Sequence, residues 1–399
     1  MNYTFSDRVK NLGGNAIREI FKLLQDPEVI SFAGGFPTKS TLPTQLISDI
    51  TSKLMASDKA QDILQYGETE GYRPLRNIAI EYVKRYGIKN IDIDNTLIIS
   101  GGQQGIDLTF KSFVNKGDVV LVEDPTYLAS LHILKTYEGV PIGVKSGDNG
   151  LDIADLEEKI KKYSPKVLYI VPTFSNPTGR TYSLENRKAI AELTAKYNVM
   201  VLEDDPYSEL RFSGERVPSI KSFDKAGNVI YITSFSKTLA PGLRTGIAIG
   251  AKEVIRKMTI GKQATDVHTS SLSQAIIDYF LRNNSMDDRL ESLKVVYLEK
   301  KTAMIEAINK YMPKEFKYTN PDGGLFIFGE FDENLGINTF EVFPELVKKY
   351  KVAYVSGHSF FASEDKFNTL RLNYSNATLE QIDDGICKMG KFFNELLNK

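Results

Sequence analysis

Ser234, Ser236, Lys237 and Arg244 place two hydroxyls, an amine and a guanidinium within eleven positions, in the stretch SFSKTLAPGLR. Hydroxyls and an arginine fork are donors that grip a phosphate. The lysine is surplus to that task. Buried, a lysine amine sheds its proton more readily, and the neutral amine attacks an aldehyde to form a Schiff base. The run VIYIT at 229–233 reads as a buried strand and Pro241-Gly242 as a turn, so the four groups gather at the end of a strand.

An aldehyde that also carries a phosphate points to pyridoxal 5′-phosphate, whose protonated ring draws electrons from a carbanion and therefore wants an acid beside the ring nitrogen. Selective polar groups follow the other strand-like runs too. After TLIIS (96–100) comes Gly101-Gly102-Gln103-Gln104-Gly105, a glycine-rich turn opening a helix with Ile106, Phe110 and Phe113 on one face. Such a turn offers free N–H groups to an anion. After VVLVE (119–123) stand Asp124-Pro125-Thr126-Tyr127, after VLYIV (167–171) come Pro172 to Gly179 with Asn176, and after VMVLE (199–203) Asp204, Asp205, Pro206 and Tyr207. Taken singly, these are glycine or proline turns and acids able to cap a helix. Spacing alone leaves open which of Asp204 and Asp205 would serve the ring.

Those runs, with VIYIT and GIAIG (246–250), are short, β-rich and almost wholly apolar. Strands buried on both faces have this composition, and the stretches between them are mostly long enough for crossover helices. The expected fold class is therefore α/β, with a mostly parallel central sheet and flanking helices. In such sheets ligands sit at the carboxyl ends of strands, where the polar groups above fall. After about residue 280 the pattern changes to LRNNSMDDRLESLKVVYLEKKTAMIEAINKY, which reads as one long charged helix, and then to shorter strands within GGLFIFGEF and TLRLNY. This predicts a smaller α+β domain. The large domain is placed at 45–280 and the small one at 1–44 together with 281–399. At the front, Ile17, Ile20, Phe21 and Leu24 describe an amphipathic helix, followed by the Gly/Pro-rich loop FAGGFPTKSTLP.

With 399 residues, 42% of them hydrophobic, the chain is long enough to bury a sizeable core. Fifty basic against 51 acidic side chains leave a net charge of −1, so no overall field favours nucleic acid or an anionic membrane. The single cysteine, Cys387, excludes an internal disulfide, and His132, His268 and His358 are not spaced for structural zinc. The N-terminus has no apolar signal-like core and no apolar run of about 18 residues occurs, so a cytoplasmic protein is expected.

Nine stretches then follow one another along the chain: LQYGETEGYRPLR, SGGQQGIDL, EDPTY, FSNPTG, EDDPYSEL, SFSKTLAPGLRTG, KQATDVHTSSLSQ, GGLFIF and LRLNY. Together they closely resemble the fold type I pyridoxal-phosphate-dependent aminotransferases, above all the 2-aminoadipate, kynurenine and aromatic aminotransferase group. The resemblance implies the PLP-transferase fold, a homodimer with active sites at the subunit interface, and ping-pong transfer of an amino group from an L-amino acid to a 2-oxo acid such as 2-oxoglutarate. In that reading Lys237 holds the cofactor through a Schiff base and moves the substrate proton. Asp204, three residues before the tyrosine, pairs with the ring nitrogen, while Asn176 and Tyr207 bond the phenolic oxygen and Tyr127 stacks on the ring. Ser234, Ser236, Arg244 and the backbone of Gly102 and Gln103 hold the phosphate, and Tyr66 reaches the phosphate of the neighbouring subunit's cofactor.

The resemblance also makes Arg371 the grip on the substrate α-carboxylate, with Gly35 and Asn176 beside it, and Arg18 a contact for a distal carboxylate. A cis bond is expected at Asn176-Pro177. Two departures stand out: Gly102 where relatives usually have serine, and Val355-Ser356-Gly357 where they have Val-Pro-Gly. The same lysine and ring would also suit a lyase that breaks a Cβ–S bond. A cofactor-binding transcription regulator would carry a winged-helix segment ahead of the domain, whereas this chain starts almost at the front helix.

Overall fold

The computed structural model describes residues 3–10, 12, 26–363 and 365–398. The expected front helix through Ile17, Ile20, Phe21 and Leu24, and with it Arg18, lies outside the described residues. Eight strands make the central sheet: β1 Thr96–Ile99, β2 Val119–Asp124, β3 Val140–Gly147, β4 Gly150–Leu151, β5 Val167–Ile170, β6 Met200–Asp204, β7 Val229–Ser234 and β8 Gly246–Ile249. Their order is β1-β8-β7-β6-β5-β2-β3-β4. Neighbours from β7 through β3 run parallel, as the crossover lengths predicted. Every residue of β1, β5, β7 and β8 is buried, which is why these runs show no polar alternation.

Two details of the sheet escape the apolar-run reading. β8 is antiparallel to both β1 and β7. Only residues 235–245 join it to β7, too few for the crossover a parallel return requires. β3 begins Val-Pro and includes Gly143, so it does not look like a strand. Its outer side pairs only at Ser146 and Gly147, with β4, and a proline is tolerated on such an edge.

Helices flank the sheets, among them α1 Gly102–Phe113, α2 Lys252–Asp266, α3 Ser271–Asn283, α4 Met286–Tyr311 and α5 Leu379–Leu397. The stretch expected as one long helix is split between α3 and α4. Ser285 caps the second piece, its hydroxyl accepting the Asp288 N–H at 3.1 Å, and Asp287 and Asp288 lie in the first turn where the helix dipole favours acids. A second sheet of β9 Phe316–Tyr318, β10 Phe326–Phe331, β11 Val355–Ser356 and β12 Thr369–Asn373 is antiparallel throughout, in the order β9-β10-β12-β11. It packs on α5 through Phe331 and Phe393, whose ring centres are 4.7 Å apart. Ile30-Ser31 pairs in parallel with Val352-Ala353, which delivers residues 33–36 to the space between the two sheets. Among the described residues no helix is long and apolar enough to cross a membrane, and no cluster of three His, Cys, Asp or Glu could hold a metal ion.

Candidate active site

A cavity of about 400 Å³ lies at the carboxyl ends of the parallel strands. β6 ends in Asp204 and β7 in Ser234, so both side chains are set by strand register rather than by flexible loops. Ser236 and Lys237 follow β7, Gly102 and Gln103 open α1, and Tyr127, Asn176 and Tyr207 stand on the turns after β2, β5 and β6. Arg371 enters from β12 of the second sheet and Gly35 from the segment after Ser31; all of these groups, with Arg244, line the cavity. Tyr66 does not: it is 81% exposed and meets His268 edge-on at 5.9 Å. The expected cis bond at Asn176-Pro177 is present, and Asp124-Pro125 is cis as well.

Lys237 donates from Nζ to the Gly35 carbonyl at 2.6 Å. Burial, with Arg244 and Arg371 adding repulsion, pulls its pKa down to about 8. The ammonium is disfavoured by on the order of 3 kcal/mol, which raises the neutral fraction near physiological pH from a trace to on the order of a tenth. Among the described residues Lys237, Arg244 and Arg371 face one carboxylate, Asp204, and this lining favours anionic groups.

The two adjacent acids part company. Asp204 lines the cavity, whereas Asp205 accepts from the Tyr231 hydroxyl at 2.9 Å and from the Ser208 N–H at 3.1 Å. Burial pushes Asp204 up to about 7, and Asp205 adds to the rise. Opposing this, the fully buried Tyr169 on β5 donates its hydroxyl to Asp204 Oδ2 at 2.9 Å. Nothing along the chain singles out Tyr169: within the apolar run VLYIV it looks like core, and only the β5–β6 register brings its hydroxyl to Asp204.

The turn before α1 is built for close approach. Gly101 has φ +85, and a Cβ there would fall 2.5 Å from Arg244 Nη2. Arg244 itself adopts the left-handed conformation and donates from Nη2 to the Ser100 carbonyl at 3.1 Å. The N–H groups of Gly102 and Gln103 fall in the first turn of α1, where no intrahelical acceptor exists. A Cβ on Gly102 would meet Asp204 Oδ1 at 3.6 Å, an ordinary contact, so a side chain is tolerated where this chain has none.

Arg371 is held from several sides. Nη1 donates to Asn176 Oδ1 at 2.7 Å and Nη2 to the Ala33 carbonyl at 2.5 Å, and the plane lies over the rings of Phe326 and Phe360 at 4.4 and 5.1 Å. Its buried Nε has no partner among the described residues. Burial draws the pKa down to about 10, so the group stays charged and short of an anion. Burial raises the phenols of Tyr127, to about 12, and of Tyr207, so both remain protonated donors. Behind Asn176, buried Glu123 accepts from the Ser175 hydroxyl at 3.0 Å, the Val171 N–H at 2.9 Å and the Tyr182 hydroxyl at 2.8 Å, and fixes the backbone that carries the asparagine. From sequence, Glu123 is no more than the last residue of a strand, and its role has no local signal.

The chemistry of this donor set fits pyridoxal 5′-phosphate. It offers an amine for the aldehyde, a carboxylate for the ring nitrogen, and hydroxyls, a guanidinium and helix N–H groups for the phosphate. A separate guanidinium remains for a carboxylate. Comparison with known proteins agrees. The family described as aminotransferase class I and II matches residues 27–388. The chain is 38% identical to aromatic-amino-acid aminotransferase 1 of Thermococcus litoralis, over 99% of this chain and 95% of that one. It is similar to the crystal structure of the Pyrococcus horikoshii kynurenine aminotransferase in complex with PMP, with a TM-score of 0.93 at 38% identity and coverage of 98% and 97%. The alpha-aminoadipate aminotransferase of Thermus thermophilus, complexed with N-(5′-phosphopyridoxyl)-L-leucine, gives a TM-score of 0.90 at 33% identity, covering 99% and 98%.

Proposed function

Because the chain belongs to the class I and II aminotransferases, and is therefore a transaminase dependent on pyridoxal 5′-phosphate, we propose that it carries an amino group from an aromatic, kynurenine-like, branched-chain or 2-aminoadipate-type L-amino acid to a 2-oxo acid, 2-oxoglutarate, in a ping-pong cycle. The observation that carries this reading is the convergence of Lys237, Asp204 and Arg371 on one cavity from three separate elements. When bound, the cofactor's protonated ring supplies the electron sink that makes the substrate Cα proton removable.

In this reading Lys237 anchors the cofactor's aldehyde carbon and, once released by substrate, takes the proton from Cα as a positioned base. Its pKa of about 8 suits that task near neutrality. Asp204 keeps the ring nitrogen protonated. Asn176 and Tyr207 orient the phenolic oxygen, and Tyr127 covers the ring face. Ser234, Ser236, Arg244 and the N–H groups of Gly102 and Gln103 bind the phosphate. Arg371 takes the α-carboxylate beside Gly35, replacing with substrate oxygens what its Nε lacks. Tyr66, exposed in the single chain, completes the phosphate site of a second copy, so the working form is a cytoplasmic homodimer.

The donors follow the names of the relatives, and the apolar lining by Ile106, Leu128 and Phe326 suits them. The test is a half-reaction: cofactor-loaded protein without acceptor, mixed in turn with phenylalanine, kynurenine, leucine, 2-aminoadipate and glutamate while the visible band is followed. Loss of the band to the pyridoxamine form with stoichiometric oxo acid is expected, and Lys237→Ala should abolish it. Recovery of the band with release of ammonia would establish a lyase instead.

A further inference from the structure

The stretch KQATDVHTSSLSQ, residues 262–274, takes no part in the chemistry above. It runs from the end of α2 into α3. Lys262 on α2 has a wholly buried side chain, and its Nζ donates to Asp266 Oδ1 and Oδ2, each at 2.9 Å, and to Gln104 Oε1 at 2.8 Å. Asp266 Oδ2 also accepts from the Ser100 hydroxyl at 2.9 Å and from Gln104 Nε2 at 2.8 Å. Gln104 Oε1 takes a second donor, the Ser100 N–H at 2.7 Å. The carboxamide is therefore fixed in both senses, its oxygen facing two donors and its nitrogen a carboxylate. Ser100 in turn offers its carbonyl to Arg244 Nη2 at 3.1 Å. Ser100 and Gln104 flank Gly101-Gly102-Gln103 on either side, and none of Ser100, Gln104, Lys262 and Asp266 lines the cavity.

We propose that Lys262, Asp266 and Gln104 are positioning residues for the cofactor's phosphate: the cluster locks both ends of the turn whose N–H groups, with Arg244, receive it. The inference rests on the assignment of that turn to the phosphate. In this chain Gly102 brings no hydroxyl, so the grip depends on backbone N–H groups, and backbone direction is what such a cluster controls. A surface pair would be dispensable, but an ammonium with no exposed surface needs its partners. Damage should be unequal. Asp266→Asn leaves the buried Lys262 charge without its carboxylate, whereas Lys262→Met leaves Asp266, 29% exposed, with the Ser100 and Gln104 donors still in place.

The test compares wild type, Lys262→Met, Asp266→Asn and Arg244→Ala, each freed of cofactor by dialysis and titrated with pyridoxal 5′-phosphate and, separately, with pyridoxal, which lacks the phosphate. Visible absorption reports binding. The expected result is a loss of about tenfold or more in pyridoxal phosphate affinity for Asp266→Asn, the size of one hydrogen bond to a charged group, and a smaller loss for Lys262→Met. Pyridoxal affinity should stay unchanged in both variants, while the melting temperature of cofactor-free Asp266→Asn falls because a wholly buried ammonium has lost its carboxylate. Equal losses for both ligands would mean general packing and overturn the inference, as would unchanged affinity in both variants. If Arg244→Ala weakens pyridoxal phosphate while the other two do not, only the cluster's role fails. If Arg244→Ala also has no effect, the phosphate assignment fails with it. Gln104→Leu, on a partly exposed position, carries the same test should Asp266→Asn not fold.

Discussion

Arg371→Lys keeps the positive charge and removes the planar fork. In the native protein Nη1 serves Asn176 Oδ1 at 2.7 Å, Nη2 serves the Ala33 carbonyl at 2.5 Å, and Nε is buried without a partner among the described residues. The plane is wedged over Phe326 and Phe360, at 4.4 and 5.1 Å to the ring centres. An ammonium has three donors in a tetrahedral arrangement and cannot serve Asn176, Ala33 and both oxygens of a carboxylate at once. At least one charge-assisted hydrogen bond to the substrate is lost, about 1.5–3 kcal/mol, and kcat/KM for an amino acid should fall roughly 10- to 150-fold. The assay sets phenylalanine against 2-phenylethylamine, the same ring and amine without the carboxylate, in single-turnover reactions read from the cofactor's visible band. The variant should slow the first and leave the second, however slow, at its wild-type rate. Equal slowing of both, or of neither, would refute the assignment of Arg371 to the carboxylate.

Three further outcomes follow from the geometry. With Lys237 at a pKa of about 8, capture of pyridoxal phosphate by cofactor-free protein should speed up about tenfold per pH unit below that value and level off above it, because only the neutral amine attacks; a midpoint near 10.5, the ordinary lysine value, would contradict the burial argument. Gly101→Ala should weaken cofactor binding, since its Cβ would fall 2.5 Å from Arg244 Nη2 at a φ of +85. Gly102→Ser, whose Cβ has 3.6 Å to its nearest neighbour, should strengthen binding by one hydroxyl contact; the opposite order in a titration would refute the described turn. Tyr169→Phe removes the donor that holds Asp204 down against burial, so Asp204 should keep its proton to higher pH and the acid limb of kcat/KM should move upward; an unmoved limb would disconnect Tyr169 from the site.

Much of this site can be read along the chain, for a physical reason. Parallel strands buried on both faces must be almost wholly apolar, so the first polar residues after each run mark the sheet's carboxyl edge, where Gly102, Asn176, Asp204, Ser234 and Lys237 all fall. The break between α3 and α4 is also present locally, in Ser285 followed by two aspartates, but the charge pattern on either side masks it. β8 reverses direction because its connection to β7 is short, a constraint visible in chain length rather than in composition.

The chain by itself determined the kinds of chemistry available, because side-chain type is local: one amine among phosphate donors, one acid pair and one arginine in an alternating strand. The tertiary structure alone decided which groups meet. Register between β5 and β6 brings Tyr169 to Asp204, and packing of α2 against α1 brings Lys262 to Gln104, 158 positions away in sequence. It also chose between the two neighbouring acids, turning Asp205 to Tyr231 and leaving Asp204 to the cavity. Burial then set the proton affinities of Lys237, Asp204 and Arg371, since desolvation depends on everything packed around a group and not on the residues beside it in the chain.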